Sequence, residues 1–277
     1  MKSIGILYVA TGPYIVFWEQ FYKSFEEHFL PQTEKHYYVF SDATSIYAGD
    51  NERVHMTFLK AEPWPLPTLL KYHRFLEIEE ELRKHDYLYQ ANGNSSCVCD
   101  VLEENFLPRK ELGEKLIFTR HIGYQNSKCW EFPYERDVTS AAYIPYNCGQ
   151  TYVFGAMNGG CADAYIQMMK ELDYQIIEDL KKNKIAKAHD ESHVNHYFCK
   201  LINYRLLSCE YAWPGEQETE GTIYITCLDK NKYLNVDEIK LNMDKQRRSM
   251  SGLISRIIRK RCPVLLATRD WFLRKKV

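Results

Sequence analysis

The chain has 277 residues, 45% of them apolar and 26% charged, with 21 Tyr and 13 Phe. That length fits one large domain with an appendage, and that aromatic content excludes a disordered chain. The formal charge of −1 conceals a division: residues 241–277 hold eleven Lys or Arg against Asp244 and Asp270, net +9, which leaves −10 for the first 240.

In chain order, residues 4–9 read as a buried strand and Thr11-Gly12-Pro13 as a turn. Residues 14–29 read as a helix, because Phe17, Phe21, Phe25 and Phe29 recur every four positions beside Trp18 and Tyr22; that stripe is expected to be core. Strands are predicted at 36–40 and 54–59, then one helix over 66–82 after Pro65, then a strand over 87–91 running into Asn92-Gly93-Asn94. Further on, residues 151–154 read as a strand broken by Gly159-Gly160, residues 162–180 as a helix, and 189–193 as a loop leading into another helix. Strands alternating with helices predict a mainly parallel sheet covered on both faces, with ligands beyond the strands' carboxyl ends.

Residues 1–9 show no secretory leader and no run of eighteen apolar residues occurs, so a cytoplasmic location is expected. Nine cysteines without a repeated CxxC spacing then read as reduced, packed thiols, and the sequon at Asn94 as silent. The tail has no aromatic-rich basic platform, which argues against nucleic acid. Its Met250, Leu253, Ile254, Ile257 and Ile258 follow helical spacing among Arg256, Arg259, Lys260 and Arg261, the pattern of an amphipathic helix on an anionic membrane surface.

The densest chemistry lies at His189-Asp190-Glu191-Ser192-His193. Two histidines four apart suit zinc, but the zinc-protease signature puts Glu directly after the first His, and here Asp190 intervenes. A capped helix start with two carboxylates is the reading that remains.

The stretch HDESHVNHYF over 189–198 resembles the most characteristic block of the family-6 glycosyltransferases, which include the ABO blood-group transferases, α1,3-galactosyltransferase and bacterial relatives. Further blocks resemble that family in order: Ile4-Gly-Ile-Leu-Tyr with Thr11-Gly12 and Tyr14, Tyr37-Tyr-Val-Phe-Ser-Asp42, Trp64-Pro65 before Thr68-Leu69, Tyr134-Glu-Arg136, Ala142-Tyr-Ile-Pro145 and Gly159-Gly160. The resemblance covers roughly residues 4–232. It implies an α/β GT-A fold over 1–240, with a mainly parallel central sheet flanked by helices. It also implies a UDP-galactose or UDP-N-acetylgalactosamine donor and α-retaining transfer to the 3-hydroxyl of a β-galactoside, in many relatives an α1,2-fucosylated one.

By the same resemblance Val9, Thr11 and Tyr14 face uridine, Thr68 and Lys71 lie near the donor, and His121 and Asp190 contact sugar hydroxyls. Glu191 falls on the catalytic glutamate and Lys230 near a diphosphate-binding lysine. A carboxylate in that place can stabilise or trap the oxocarbenium-like carbon, and retention follows from either route. Phe154-Gly155-Ala156 matches the short donor-selecting segment; a large first residue with Ala third resembles the galactose version. Four departures stand out. Asn92-Gly93-Asn94 replaces the metal-holding Asp-x-Asp, as in some bacterial relatives, so no metal cofactor is expected. Lys71 replaces Arg, Ala188 replaces an acceptor-side Trp, and Pro133 replaces a Thr near it. Oligosaccharide or lipid-linked glycans are the expected acceptors.

Overall fold

A computed structural model describes residues 1–215, 217–236 and 239. The expected boundary at residue 240 and the basic helix beyond it lie outside the described residues. A seven-stranded sheet runs in the order β3-β2-β1-β4-β7-β6-β8. Its strands are β1 (Ser3–Val9), β2 (Glu34–Ser41), β3 (Val54–Phe58), β4 (Tyr87–Gln90), β6 (Leu116–Arg120), β7 (Val153–Cys161) and β8 (Arg205–Leu207). β3, β2, β1 and β4 are parallel, β7 runs against both β4 and β6, and β8 is parallel to β6. A smaller sheet joins β5 (Ser95–Cys97), β9 (Trp213–Pro214) and β10 (Ile225–Cys227).

Alternation along β1 sends Leu7 to one face of the large sheet and Ile6 and Tyr8 to the other. Leu7's face is covered by α6 (Ala162–Lys181) and α7 (Asp190–Phe198). The other face is covered by α1 (Trp18–His28), whose Phe21 and Phe25 stack at 4.0 Å. The predicted aromatic stripe is core: Phe17, Phe21, Phe25 and Phe29 are all buried, each worth about 1.5–3 kcal/mol of burial. The α-helix starts only at Trp18, because Thr11 is extended, Gly12 has φ +60° and Pro13 opens a 3₁₀ stretch, Gly12–Phe17.

Two sequence expectations need correction. The single helix over 66–82 is three short pieces, α2 (Leu66–Leu69), α3 (Lys71–Leu76) and α4 (Glu79–Leu82), with breaks at Leu70 and Ile78. Tertiary contacts override helical propensity there, since α3 buries the polar side chains of Lys71, Tyr72 and His73 against β7, α6 and α7. Gly159-Gly160 does not break a strand but lies inside β7, between β4 and β6. A Cβ on Gly159 would stand 2.3 Å from the Leu88 carbonyl oxygen and one on Gly160 2.2 Å from that of Lys115, so only glycine admits both neighbours.

The remaining helix, α5 (Glu103–Phe106), packs Phe106 edge-on to Phe29 and Tyr89. The eight cysteines among the described residues are free thiols.

Candidate functional site

A pocket of about 460 Å³ opens beyond the carboxyl ends of β1 and β4, where an open α/β sheet binds its ligands, and its size is that of a small-molecule site. Val9, Thr11 and Tyr14 form one wall, Thr68 and Lys71 another, and Asn92 and Asn94 line it after β4. Gly155 and Ala156 enter from β7, Ala188, Asp190 and Glu191 from the start of α7, and Lys230 from the segment after β10. Two expected residues, His121 and Phe154, do not line it. They stack on each other, ring centroids 4.8 Å apart.

That segment is a bulge. Phe118 on β6 faces Asn158, yet two residues on Arg120 faces Val153, five residues back, so β7 accommodates extra backbone at 154–156. The bulge turns the Gly155 peptide toward α7, where its N–H donates to Glu191 Oε2 at 2.8 Å. Its carbonyl accepts from Lys71 Nζ and from Asn158 Nδ2, each at 2.9 Å. A Cβ at 155 would fall 2.6 Å from Glu191 Cβ, which explains the glycine.

Glu191 has a second donor, the Tyr152 hydroxyl, 2.7 Å from Oε1. Burial pushes the Glu191 carboxyl above the ordinary carboxylate range, while these two hydrogen bonds and Lys71 pull the other way. The helix that presents it is clamped to β7 by Asn195, whose side-chain amide bonds both the N–H and the carbonyl of Val153. At its start His189 has φ +54°, a left-handed conformation that costs a non-glycine residue about 1–3 kcal/mol. His189 N–H bonds the Ala186 carbonyl and Ala188 N–H bonds Ser192 Oγ, which hold the turn against that strain.

The histidine pair does not share a face. His189 precedes α7 with its ring edge-on to Trp64, whereas His193 is buried 3.7 Å from Asp179. Lys71, expected near the donor, lines the pocket with its ammonium 2.6 Å from Asp190 Oδ2, both side chains buried. Lys187 also lines the pocket, with its own N–H bonded to Glu135 and its ammonium without a hydrogen-bond or ion-pair partner among the described residues.

Asn94 is structural as well as pocket-lining. Its Nδ2 donates to the Leu228 carbonyl at 2.6 Å and its carbonyl accepts from Leu228 N–H at 2.8 Å, tethering the segment that carries Lys230. Lys230 itself stands 5.7 Å from the Tyr14 ring centre, across the expected uridine wall. Sequence reasoning missed Tyr152, Lys187 and the Lys71–Asp190 pair. Nothing in their local spacing marks them, because each acquires its place from a residue 39 or more positions away or from the pocket as a whole. Among the described residues no group of three or more His, Cys, Asp or Glu gathers in metal-holding geometry.

A model of glycosyltransferase family 6 matches residues 68–235. The O-antigen biosynthesis glycosyltransferase WbnI of Escherichia coli is 33% identical over 230 residues, which is 83% of this chain and 95% of that protein. Globoside alpha-1,3-N-acetylgalactosaminyltransferase 1 of Gallus gallus is 29% identical over 239 residues, 83% of this chain and 68% of that protein. The histo-blood group ABO system transferase 2 of Rattus norvegicus is 29% identical over 221 residues, 77% of this chain and 64% of that protein.

Proposed function

This chain belongs to glycosyltransferase family 6, and on that premise we propose that it transfers galactose from UDP-galactose to the 3-hydroxyl of an α1,2-fucosylated β-galactoside, with retention. Membership makes it a hexosyltransferase with a GT-A-type fold, a nucleotide-sugar donor and a glycan acceptor. The observation that carries the finer reading is the Glu191 carboxylate, fixed by Tyr152 and Gly155 at the wall of the pocket. As the bond from the anomeric carbon to the diphosphate breaks, its electrons go to phosphate oxygen and positive charge develops on the sugar ring. Glu191 stabilises that charge, or bonds the carbon transiently; the acceptor oxygen then attacks, breaking any bond to Glu191, whose electrons return to the carboxylate, and in either route the acceptor proton passes to the departing phosphate.

The preference for galactose rests on Ala156, the one side chain of the 154–156 segment that lines the pocket, since Gly155 has none and Phe154 stacks on His121. Its methyl group occupies space that an acetamido group would need. For the diphosphate, Asn92 and Asn94 are neutral and do not fit a chelating role. Lys187 and Lys230, which both line the pocket, are the cations assigned to it. Among the described residues no helix is long and apolar enough to cross a membrane. Residues 241–277 extend the proposal to a cytoplasmic enzyme resting on anionic lipid beside lipid-linked acceptors. Vesicle binding at low salt by the full chain and by a version ending at Lys240 tests this, and equally weak binding by both overturns it.

The deciding assay follows UDP release and product formation with UDP-galactose and UDP-N-acetylgalactosamine, each with and without the fucosylated galactoside. Acceptor-dependent release from UDP-galactose supports the reading; a clear kcat/KM preference for the acetamido sugar reverses the donor, and no release from either leaves only a binding protein.

A further inference from the structure

We propose that Tyr152 is a positioning residue for the transfer, its hydroxyl fixing the orientation in which the Glu191 carboxylate meets the sugar. The proposal rests on the reading of Glu191 as the group that stabilises the anomeric carbon. A carboxylate offers four lone-pair directions on two oxygens. Tyr152 occupies one on Oε1 and the Gly155 N–H one on Oε2, so rotating the carboxylate about its own axis breaks both bonds. Among the described residues Tyr152 is the one donor to Oε1.

The phenol is itself held rigidly. Its ring packs against Tyr124, Tyr134 and Phe132 at centroid distances of 4.8, 5.5 and 5.9 Å. Its backbone carbonyl accepts the His121 N–H at 3.0 Å, and the next residue, Val153, is clamped to α7 by Asn195. The hydroxyl and the carboxylate therefore belong to one rigid unit, so the donor sits where the carboxylate needs it before substrate arrives. Burial, reinforced by the charge of Glu191, pushes the phenol far above its ordinary value, and it remains a proton donor throughout the working range.

The residue whose side chain holds Glu191 also holds, by its main-chain carbonyl, the backbone of His121.

The test uses the full chain and compares Tyr152→Phe, Tyr134→Phe and Glu191→Gln. Tyr134 belongs to the same aromatic cluster, but its hydroxyl donates to the Thr151 carbonyl and not to the carboxylate. Tyr152→Phe is expected to lower kcat by roughly 10- to 100-fold with UDP affinity and donor KM nearly unchanged, the scale on which small misplacements act. It is also expected to move the acid limb of the kcat–pH profile upward, because Glu191 has lost a hydrogen bond that favours its charged form. Tyr134→Phe should leave that limb in place. Should Tyr152→Phe unfold, 3,5-difluorotyrosine at position 152 keeps the shape and makes a stronger donor, and the limb should move downward. Wild-type kcat and an unmoved limb in Tyr152→Phe, or an equal shift in Tyr134→Phe, overturn the positioning role. An active Glu191→Gln overturns the reading of Glu191 beneath it, whereas an inactive Glu191→Gln beside an unaffected Tyr152→Phe removes Tyr152 alone.

Discussion

Lys71 Nζ and Asp190 Oδ2 lie 2.6 Å apart with only 5% of either side chain exposed, and the same ammonium bonds the Gly155 carbonyl. Asp190 is joined by a peptide bond to Glu191, and Glu191 is bonded to the Gly155 N–H, so the four residues close a ring. The ion pair thus braces the Gly155 peptide that holds the Glu191 carboxylate.

Breaking that ring from one side leaves a buried charge unmatched. Lys71→Met is expected to destabilise the fold by about 3–5 kcal/mol, measured by urea unfolding. Lys71→Met with Asp190→Asn should recover most of the stability and little of the activity, because the Gly155 carbonyl still lacks its ammonium. A double variant as unstable as the single would show that the pair does not act as a unit.

Glu191 has its carboxyl raised by burial, and the sign differs for rate and for stability. The ionised form is the one the chemistry uses, so kcat should fall on acidification at a higher pH than the ordinary carboxylate value of 4.5. For folding, a raised native value contributes stability below the unfolded value that is lost as pH rises through the folded value. Glu191→Gln should therefore lower kcat by orders of magnitude and yet raise the melting temperature at pH 7, with the gain vanishing near pH 4. Melting curves of both proteins across that range decide it; a loss of stability at pH 7 contradicts the sign.

One buried and two half-buried histidines, His193 with His85 and His196, predict an acid weakness. Burial pushes His193 down to about 3 and His85 and His196 to about 4, against 6.5 in the unfolded chain. Depressed native values give stability that is full above 6.5 and declines as pH falls toward the folded values. The melting temperature should fall steadily between pH 6.5 and 4, and His193→Gln should flatten the slope. An unchanged slope in that variant would assign the loss to other groups.

On the proposed reading, donor choice turns on Ala156. Ala156→Gly removes the methyl that lines the pocket and should raise kcat/KM for UDP-N-acetylgalactosamine relative to UDP-galactose by roughly 10-fold, the value of about one methylene. Gly155→Ala should abolish transfer with either donor, since its Cβ would overlap Glu191. Equal loss of both donors in Ala156→Gly would show that the segment shapes the site without selecting the sugar.

The legible parts of the molecule are those whose signal is local. The four-residue recurrence of Phe17, Phe21, Phe25 and Phe29 needed no tertiary information to be read as core, and His189 to Phe198 carried the family in one stretch. The breaks at Leu70 and Ile78 were hidden because propensity favours one helix and only the burial of Lys71, Tyr72 and His73 reverses it. Gly159 and Gly160 look like chain breakers until two flanking strands are placed beside them. Matching residues in line treats Phe154, Gly155 and Ala156 alike, whereas the bulge stacks Phe154 on His121 and leaves Gly155 and Ala156 lining the pocket.

Metal independence is the last prediction, and Asn94 decides how to test it. Asp190 and Glu191 are the carboxylates that line the pocket among the described residues, and each is already engaged, by Lys71 and by Tyr152 with Gly155. A divalent ion on the diphosphate would then have neutral amides and water as its protein-side partners, too little anionic charge for tight binding. Lys187 and Lys230 both line the pocket as cations, so Lys187→Ala and Lys230→Ala should each weaken UDP binding, by calorimetry in excess EDTA, several-fold or more. Asn94→Asp is a poor way to restore a metal site: its carboxylate would face the Leu228 carbonyl now bonded by Nδ2, and the repulsion would displace the segment bearing Lys230. That variant should lose UDP affinity with or without manganese, while Asn92→Asp, whose side chain does not bond the Leu228 carbonyl, should gain manganese dependence if either does. Full transfer by the unmodified chain in EDTA is the expected result. Transfer abolished by EDTA and restored by manganese would place an ion between the phosphates after all.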